Sequence, residues 1–174
     1  MDWSQTFEAI GKLVSGAAAV GGGWWAFVKW RKRDELFPRV EFEVTARFIG
    51  IQDGKMVTEI VATLENKGVV PLKIKHFSFK LRGLAAGDSL TKGGEKIRGQ
   101  LDFQRLLDEG LLVPEKWEYT FVYPGVKTEY NFVTAIPETT TFVRVQADFE
   151  YLRNGESHHA ARILKMEPLR NILR

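Results

Sequence analysis

The segment VEFEVTARF, residues 40–48, alternates strictly between apolar and polar side chains. Successive side chains of a β-strand point to opposite faces of its sheet, so this alternation predicts a strand with one buried face. The change to a period of two begins at Arg39 and marks the start of a β domain. The predicted inner face consists of Val40, Phe42, Val44, Ala46 and Phe48.

Turn signals divide the following residues into further strands. Asp53-Gly54, within QDGK, is a strong hairpin signal. The returning strand, MVTEIVATLEN, ends at Asn66-Lys67-Gly68. The next alternating segment, LKIKHFSFKLRG, slips in phase by one residue near His76, which predicts a β-bulge.

The second half of the chain continues in the same way. Residues 83–99 are rich in glycine and predict a loop or a loose hairpin. DFQRLLDEG, residues 102–110, predicts a short helical turn closed by Gly110. Four further strands are expected in KWEYTFVY, VKTEYNFVTAI, TTFVRVQADFEYL and SHHAARILKM, with an Asn-Gly turn before the last. Seven or eight strands at this spacing predict an antiparallel β-sandwich rather than an α/β fold.

Residues 57–83, VTEIVATLENKGVVPLKIKHFSFKLRG, carry a resemblance to known modules. An alternating strand, the turn residues Asn66 and Gly68, Pro71, and a second alternating strand occur in this order. The passage resembles the paired strands of Ig-like adhesion-type modules, and is similar in pattern to CARDB domains and to the late-embryogenesis-abundant type 14-like sandwich. The resemblance implies a mainly β, Ig-like sandwich and no particular activity.

The N-terminal segment is the least polar part of the chain. Residues 13–28 contain no charged side chain, and the wider segment 9–30 approaches the roughly 20 residues that cross a bilayer. Tryptophan lies on both sides of this segment, as at two membrane interfaces. We therefore expect a single transmembrane helix, with an interfacial or buried helix as the alternative. The interface residues would be Trp3, Trp24, Trp25 and Trp30.

The basic residues after this segment suggest an orientation. Lys29, Arg31, Lys32 and Arg33 follow the apolar residues directly, whereas the preceding segment carries Asp2 and Glu8. Basic clusters favour the cytoplasmic side and attract anionic headgroups. The sequence thus predicts a cell-membrane protein with a cytoplasmic C-terminal domain and membrane lipid as a partner.

Small residues predict helix packing within the N-terminal segment. Ser15, Ala19 and Gly23 recur four residues apart, and Gly22 adjoins them. Such spacing lets helix backbones approach closely in lipid. We expect a homo-oligomer through this face, with a pore as the more specific alternative.

These features predict four regions along the chain. They are an N-terminal transmembrane helix over 1–30, a basic juxtamembrane linker over 31–38, an Ig-like sandwich over 39–168 and a basic tail over 169–174.

Little in the sequence points to chemistry. The 25 basic and 22 acidic residues nearly balance, which does not suggest a nucleic-acid partner, and no cysteine is present. His76 is alone on a strand, and adjacent His158 and His159 should point to opposite faces. No phosphate-loop, G-x-S-x-G or H-E-x-x-H pattern occurs. We expect no catalytic residue, metal or cofactor, and hence not an enzyme.

The glycine-rich loop is the best candidate surface for a protein partner, because long loops on a rigid sandwich often carry recognition. Its charged residues include Asp88, Lys92, Lys96 and Arg98. The favoured function is a membrane-anchored, non-enzymatic interaction module. One alternative is a membrane-disrupting or pore-forming effector, for example of a bacterial antiviral defence system. Another is a soluble sandwich whose N-terminal helix packs on a partner.

Overall fold

The computed structural model describes residues 16–29, 39–93 and 99–166. The chain forms two compact units, Met1–Phe37 and Pro38–Arg174, and each is described by itself. In the first unit, residues 16–29 are helical.

The predicted transmembrane helix is not found among these residues. Within the described ranges, no helix combines the length and the hydropathy needed to cross a membrane. The prediction rested on the wider segment 9–30, of which residues 9–15 and 30 lie outside the described residues. The proposed linker 31–38 and tail 169–174 lie outside them as well.

The second unit is built from antiparallel strands, as predicted. The described residues form eight strands in two sheets, with orders β1-β2-β6 and β4-β3-β7-β8; β5 also pairs with β3. The strands are β1 (Val40–Gln52), β2 (Lys55–Asn66), β3 (Leu72–Ala85), β4 (Arg105–Leu111), β5 (Thr120–Val122), β6 (Lys127–Pro137), β7 (Thr140–Tyr151) and β8 (Ser157–Lys165). The chain passes from one sheet to the other between β2 and β3, and β6 returns to pair with β2. Two antiparallel sheets connected in this way form a sandwich-like fold.

Both backbone irregularities that the sequence predicts are present. Asp53 and Gly54 have φ values of 51° and 69°, as the tight turn of the β1–β2 hairpin requires. The pairing of β3 with β7 shifts register between Lys75 and Ser78, and His76 lies in this bulge with a φ of 51°. The bulge restores the inward direction of the side chains that follow it, beginning with Phe77.

The core lies between the two sheets. Alternate residues of β2 and β3 are fully buried, and Met56, Ile60 and Leu64 of β2 meet Ile74 and Leu81 of β3 in one cluster. Aromatic rings fill one part of it: the rings of Phe42, Phe77 and Phe149 lie 5.1 to 5.7 Å apart in edge-on contacts. Edge-on packing is the favourable geometry for such rings.

The prediction of a helical turn over residues 102–110 is wrong. Residues 105–111 form β4, which pairs with β3 at the edge of the sheet. Gly110 lies opposite Phe79, and a Cβ added there would come within 3.0 Å of the Phe79 ring. Pairing with β3 and the close approach at Gly110 outweigh the helix propensity of the Leu-Leu-Asp-Glu sequence.

The glycine-rich segment is shorter than predicted, because β3 continues to Ala85. Lys92 forms a bridge with Leu101, and the Gly93 amide donates to the Gln100 carbonyl at 2.8 Å, a pairing typical of a loose hairpin. Residues 94–98 lie outside the described residues. The strand expected in KWEYTFVY is reduced to the three residues of β5.

Candidate functional site

The helix presents two different faces. Val20, Trp24 and Phe27 share one face at helical spacing, and all three are exposed. Ala19, Gly22 and Gly23 share another, and a Cβ added at either glycine would meet nothing within 4 Å. Ser15, the fourth residue of the predicted packing face, lies outside the described residues.

Two of the predicted interface tryptophans are on this helix. Trp24 and Trp25 are 69% and 64% exposed. The Nζ atom of Lys29 lies 4.6 Å from the ring centroid of Trp25, a cation–π contact one helical turn apart. The other predicted interface residues, Trp3, Trp30, Arg31, Lys32 and Arg33, lie outside the described residues.

The candidate partner loop contains a structural carboxylate. Asp88 accepts a hydrogen bond from the Ala85 amide at 2.7 Å and pairs with Arg105. The backbone hydrogen bond from Ala85, followed by Arg105, holds the pKa of Asp88 below its usual value. Asp88 therefore fastens the loop to β3 and β4. Lys92 takes part in the hairpin bridge, while Lys96 and Arg98 lie outside the described residues.

The neighbouring histidines point to opposite faces of β8, as predicted. His158 is half-buried and stacks on Phe149 with ring centroids 5.5 Å apart, whereas His159 is exposed. The Nδ1 atom of His158 is 3.0 Å from the Tyr151 hydroxyl. Burial, and to a lesser extent the charge of His159, lowers the pKa of His158. His158 is thus a packed residue of the sandwich edge.

Asn66 has a wider role than the turn signal indicated. Its side chain is buried, and its Nδ2 atom donates to the carbonyls of Val70 and Val122 at 2.8 and 2.9 Å. Its Oδ1 atom accepts from the Gly68 amide at 2.9 Å. One side chain therefore joins the β2–β3 turn to β5. The sequence could not show the contact with Val122, which is 56 residues away.

A surface cleft beside the β3 bulge was also missed. Its volume is about 500 Å³, and its walls include His76 on β3 and the loop residues Glu115, Trp117, Glu118 and Tyr119. The Leu112 amide donates to the Phe77 carbonyl at 2.9 Å, which fixes the start of this loop against the bulge. Two sequence features belong to this cleft: the phase slip at His76 and the alternating aromatic residues after Pro114. The sequence does not show that these two segments lie next to each other in the fold.

The described residues contain no group of three or more His, Asp or Glu side chains arranged to hold a metal ion.

No protein-family model matches the chain, and no curated protein matches it. Among solved structures, a protein described as ApaA from Bordetella pertussis is similar at 18% identity and a TM-score of 0.47, covering 74% of this chain and 94% of that one. The CARDB domain of a Pyrococcus furiosus protein, in complex with di-metal ions, is similar at 13% identity and a TM-score of 0.39, covering 75% and 89%. A FixG-related protein from Vibrio parahaemolyticus is similar at 10% identity and a TM-score of 0.38, covering 74% and 96%. These similarities are low.

Proposed function

We propose that the protein is a non-enzymatic interaction module that attaches to a membrane through its N-terminal helix and binds a protein partner with its β-sandwich. The observation that carries the membrane part is the exposure of Val20, Trp24 and Phe27 on one face of the helix. Exposed apolar faces of this kind mark contacts with lipid or protein.

The basic side chains at the end of the helix and directly after it favour lipid. Lys29 packs its ammonium over the ring of Trp25, an arrangement suited to the headgroup level. The sequence continues with Arg31, Lys32 and Arg33, which would attract anionic lipids by about 1 kcal/mol per residue near the surface. The apolar face would enter the boundary between headgroups and acyl chains.

Self-association through the small-residue face forms a further part of the proposal. The open space around Gly22 and Gly23 would allow a second helix to approach closely. Gly22→Leu should then reduce crosslinked oligomers in detergent, whereas Val20→Leu on the other face should leave them unchanged.

Vesicle flotation of the full chain tests the membrane attachment. We expect flotation with vesicles containing phosphatidylserine and much less with phosphatidylcholine alone. The triple variant Val20→Ser, Trp24→Ser and Phe27→Ser should remain at the bottom of the gradient. A control variant with serine at three exposed apolar residues of the sandwich, Leu106, Val133 and Ile163, should still float with the vesicles.

Extraction of membranes from expressing cells then distinguishes the modes of attachment. A chain that requires detergent is inserted across or deeply into the bilayer, whereas release by carbonate indicates attachment at the surface. A full chain that neither floats with vesicles nor sediments with membranes would refute the membrane proposal. The helix would then pack on a protein partner.

A further inference from the structure

We propose that the cleft beside the β3 bulge, the bulge cleft, binds the guanidinium or ammonium group of an arginine or lysine side chain on a protein partner. This inference rests on the proposed protein-binding role of the sandwich, and names the site and the chemistry of its ligand. The cleft lies between His76 on β3 and the loop that carries Trp117.

An exposed indole forms one wall of the bulge cleft. Trp117 is 53% exposed although its own amide is fixed by a hydrogen bond to the Pro114 carbonyl at 2.9 Å. Tyr119, two residues further on, lines the same cleft. Tryptophan is among the residues that most often dominate protein interfaces, and its ring face attracts cations.

The carboxylates of the bulge cleft select a positive ligand. Glu115 and Glu118 line it, and among the described residues neither makes an ion pair or a side-chain hydrogen bond. Lys75 is the one lysine or arginine that lines the cleft, and its Nζ atom lies 3.4 Å from Glu150. Lys73 and Lys116 are not among the lining residues, and the Nζ atom of Lys73 lies 5.1 Å from the ring centroid of Tyr119. Of the acidic and basic side chains that line the cleft, the two carboxylates are therefore the ones left to pair with a ligand.

The shape of the bulge cleft suits one long side chain. Its volume of about 500 Å³ has apolar walls from Leu111 and Val113, against which the methylene groups of arginine or lysine could pack. Trp117 and the two carboxylates lie in one short loop, so they could meet the charged end together.

Fluorine NMR on the full chain labelled with fluorotryptophan tests the proposal. The Trp117 resonance is assigned with Trp117→Phe. The probe is the terminally blocked peptide Gly-Arg-Gly, and its citrulline counterpart keeps the shape without the charge. We expect a saturable shift of the Trp117 resonance with the arginine peptide, and at least roughly tenfold weaker binding of the citrulline peptide.

Two double variants complete the experiment. Glu115→Gln with Glu118→Gln should weaken arginine-peptide binding by roughly tenfold, because two charge interactions are removed. Glu43→Gln with Glu129→Gln, at exposed positions of the other sheet, should leave it unchanged.

Three results would overturn the assignment. They are the absence of a saturable shift of the Trp117 resonance, equal affinities for the arginine and citrulline peptides, and an affinity of the Glu115 and Glu118 double variant for the arginine peptide that equals that of the unchanged protein. Vesicle flotation is measured on the same samples and reports the helix alone. If the arginine peptide does not shift the Trp117 resonance while the protein still floats with vesicles, binding at the bulge cleft is refuted and the proposed membrane attachment is not.

Discussion

Replacing Asn66 by alanine should lower the stability of the sandwich substantially. The change removes three side-chain hydrogen bonds of 2.8 to 2.9 Å, two of them to the carbonyls of Val70 and Val122. Each bond contributes about 1 kcal/mol net, and a buried carbonyl left without a donor costs about 1 kcal/mol or more in addition. We therefore expect the free energy of unfolding to fall by about 3 to 4 kcal/mol.

Urea unfolding followed by circular dichroism measures this difference directly. A loss of this size corresponds to a decrease of the melting temperature by roughly 10 °C for a domain of this length. Asn131→Ala is the matched control, because Asn131 is exposed on β6 and the same atoms are removed. The control should change the free energy of unfolding by less than about 0.5 kcal/mol.

Asn66→Asp distinguishes the contribution of the donor atom Nδ2 from that of the acceptor atom Oδ1. Aspartate keeps an oxygen that can accept from the Gly68 amide, but it loses the donors to Val70 and Val122 and places a buried charge against their carbonyls. It should therefore be at least as destabilising as alanine. If Asn66→Ala stays within about 0.5 kcal/mol of the Asn131 control, the claim that this side chain fastens β5 to the β2–β3 turn is refuted.

Gly110→Ala should lower the free energy of unfolding by about 1 to 3 kcal/mol in the same assay, because the new Cβ would lie 3.0 Å from the buried ring of Phe79. Gly87→Ala, where a Cβ meets nothing within 4 Å, is its control, and equal effects of the two would contradict the packing argument. The lowered pKa of His158 means that the unfolded chain binds its proton first, so stability should be complete above about pH 7 and should fall as the pH decreases through the unfolded value of 6.5. His158→Gln should flatten the dependence of the free energy of unfolding on pH as the pH decreases from about 7 through 6.5, and an unchanged slope would show that His158 is not its source. Trp24→Ala should weaken vesicle binding by roughly tenfold, since burying a large apolar side chain contributes about 1.5 to 3 kcal/mol, and undiminished flotation would exclude Trp24 from the lipid contact.

The sequence predicted those parts of the fold that depend on neighbouring residues. Strict alternation located β1 and β2, Asp53-Gly54 identified their turn, and the phase slip at His76 identified the bulge. Each of these signals lies within a few residues of the structure it describes, so no knowledge of distant contacts was needed.

The features that the sequence did not reveal depend on residues far apart in the chain. The local sequence of β4 favours a helix. Its residues form a strand because they pair with β3 and because Gly110 approaches Phe79 closely. The bulge cleft joins His76 to Trp117, and Asn66 reaches the carbonyl of Val122. Periodicity carries no information on such pairs, because it describes one segment at a time.

The placement of tryptophan supports a function at the surface of both units. The core is built largely from phenylalanine and aliphatic side chains, and no buried side-chain polar atom of the described residues lacks a hydrogen-bond partner. All three tryptophans that the structure describes, Trp24, Trp25 and Trp117, are instead more than half exposed. An indole contributes most to the free energy of folding or binding when it is buried. Three exposed indoles are therefore unfavourable for an isolated protein, but they favour binding by a protein that covers them on contact with a partner. Trp24 and Trp25 belong to the helix proposed to meet lipid, and Trp117 belongs to the bulge cleft. Lipid on the helix and a basic side chain in the bulge cleft would therefore bury the residues that the folded chain leaves exposed.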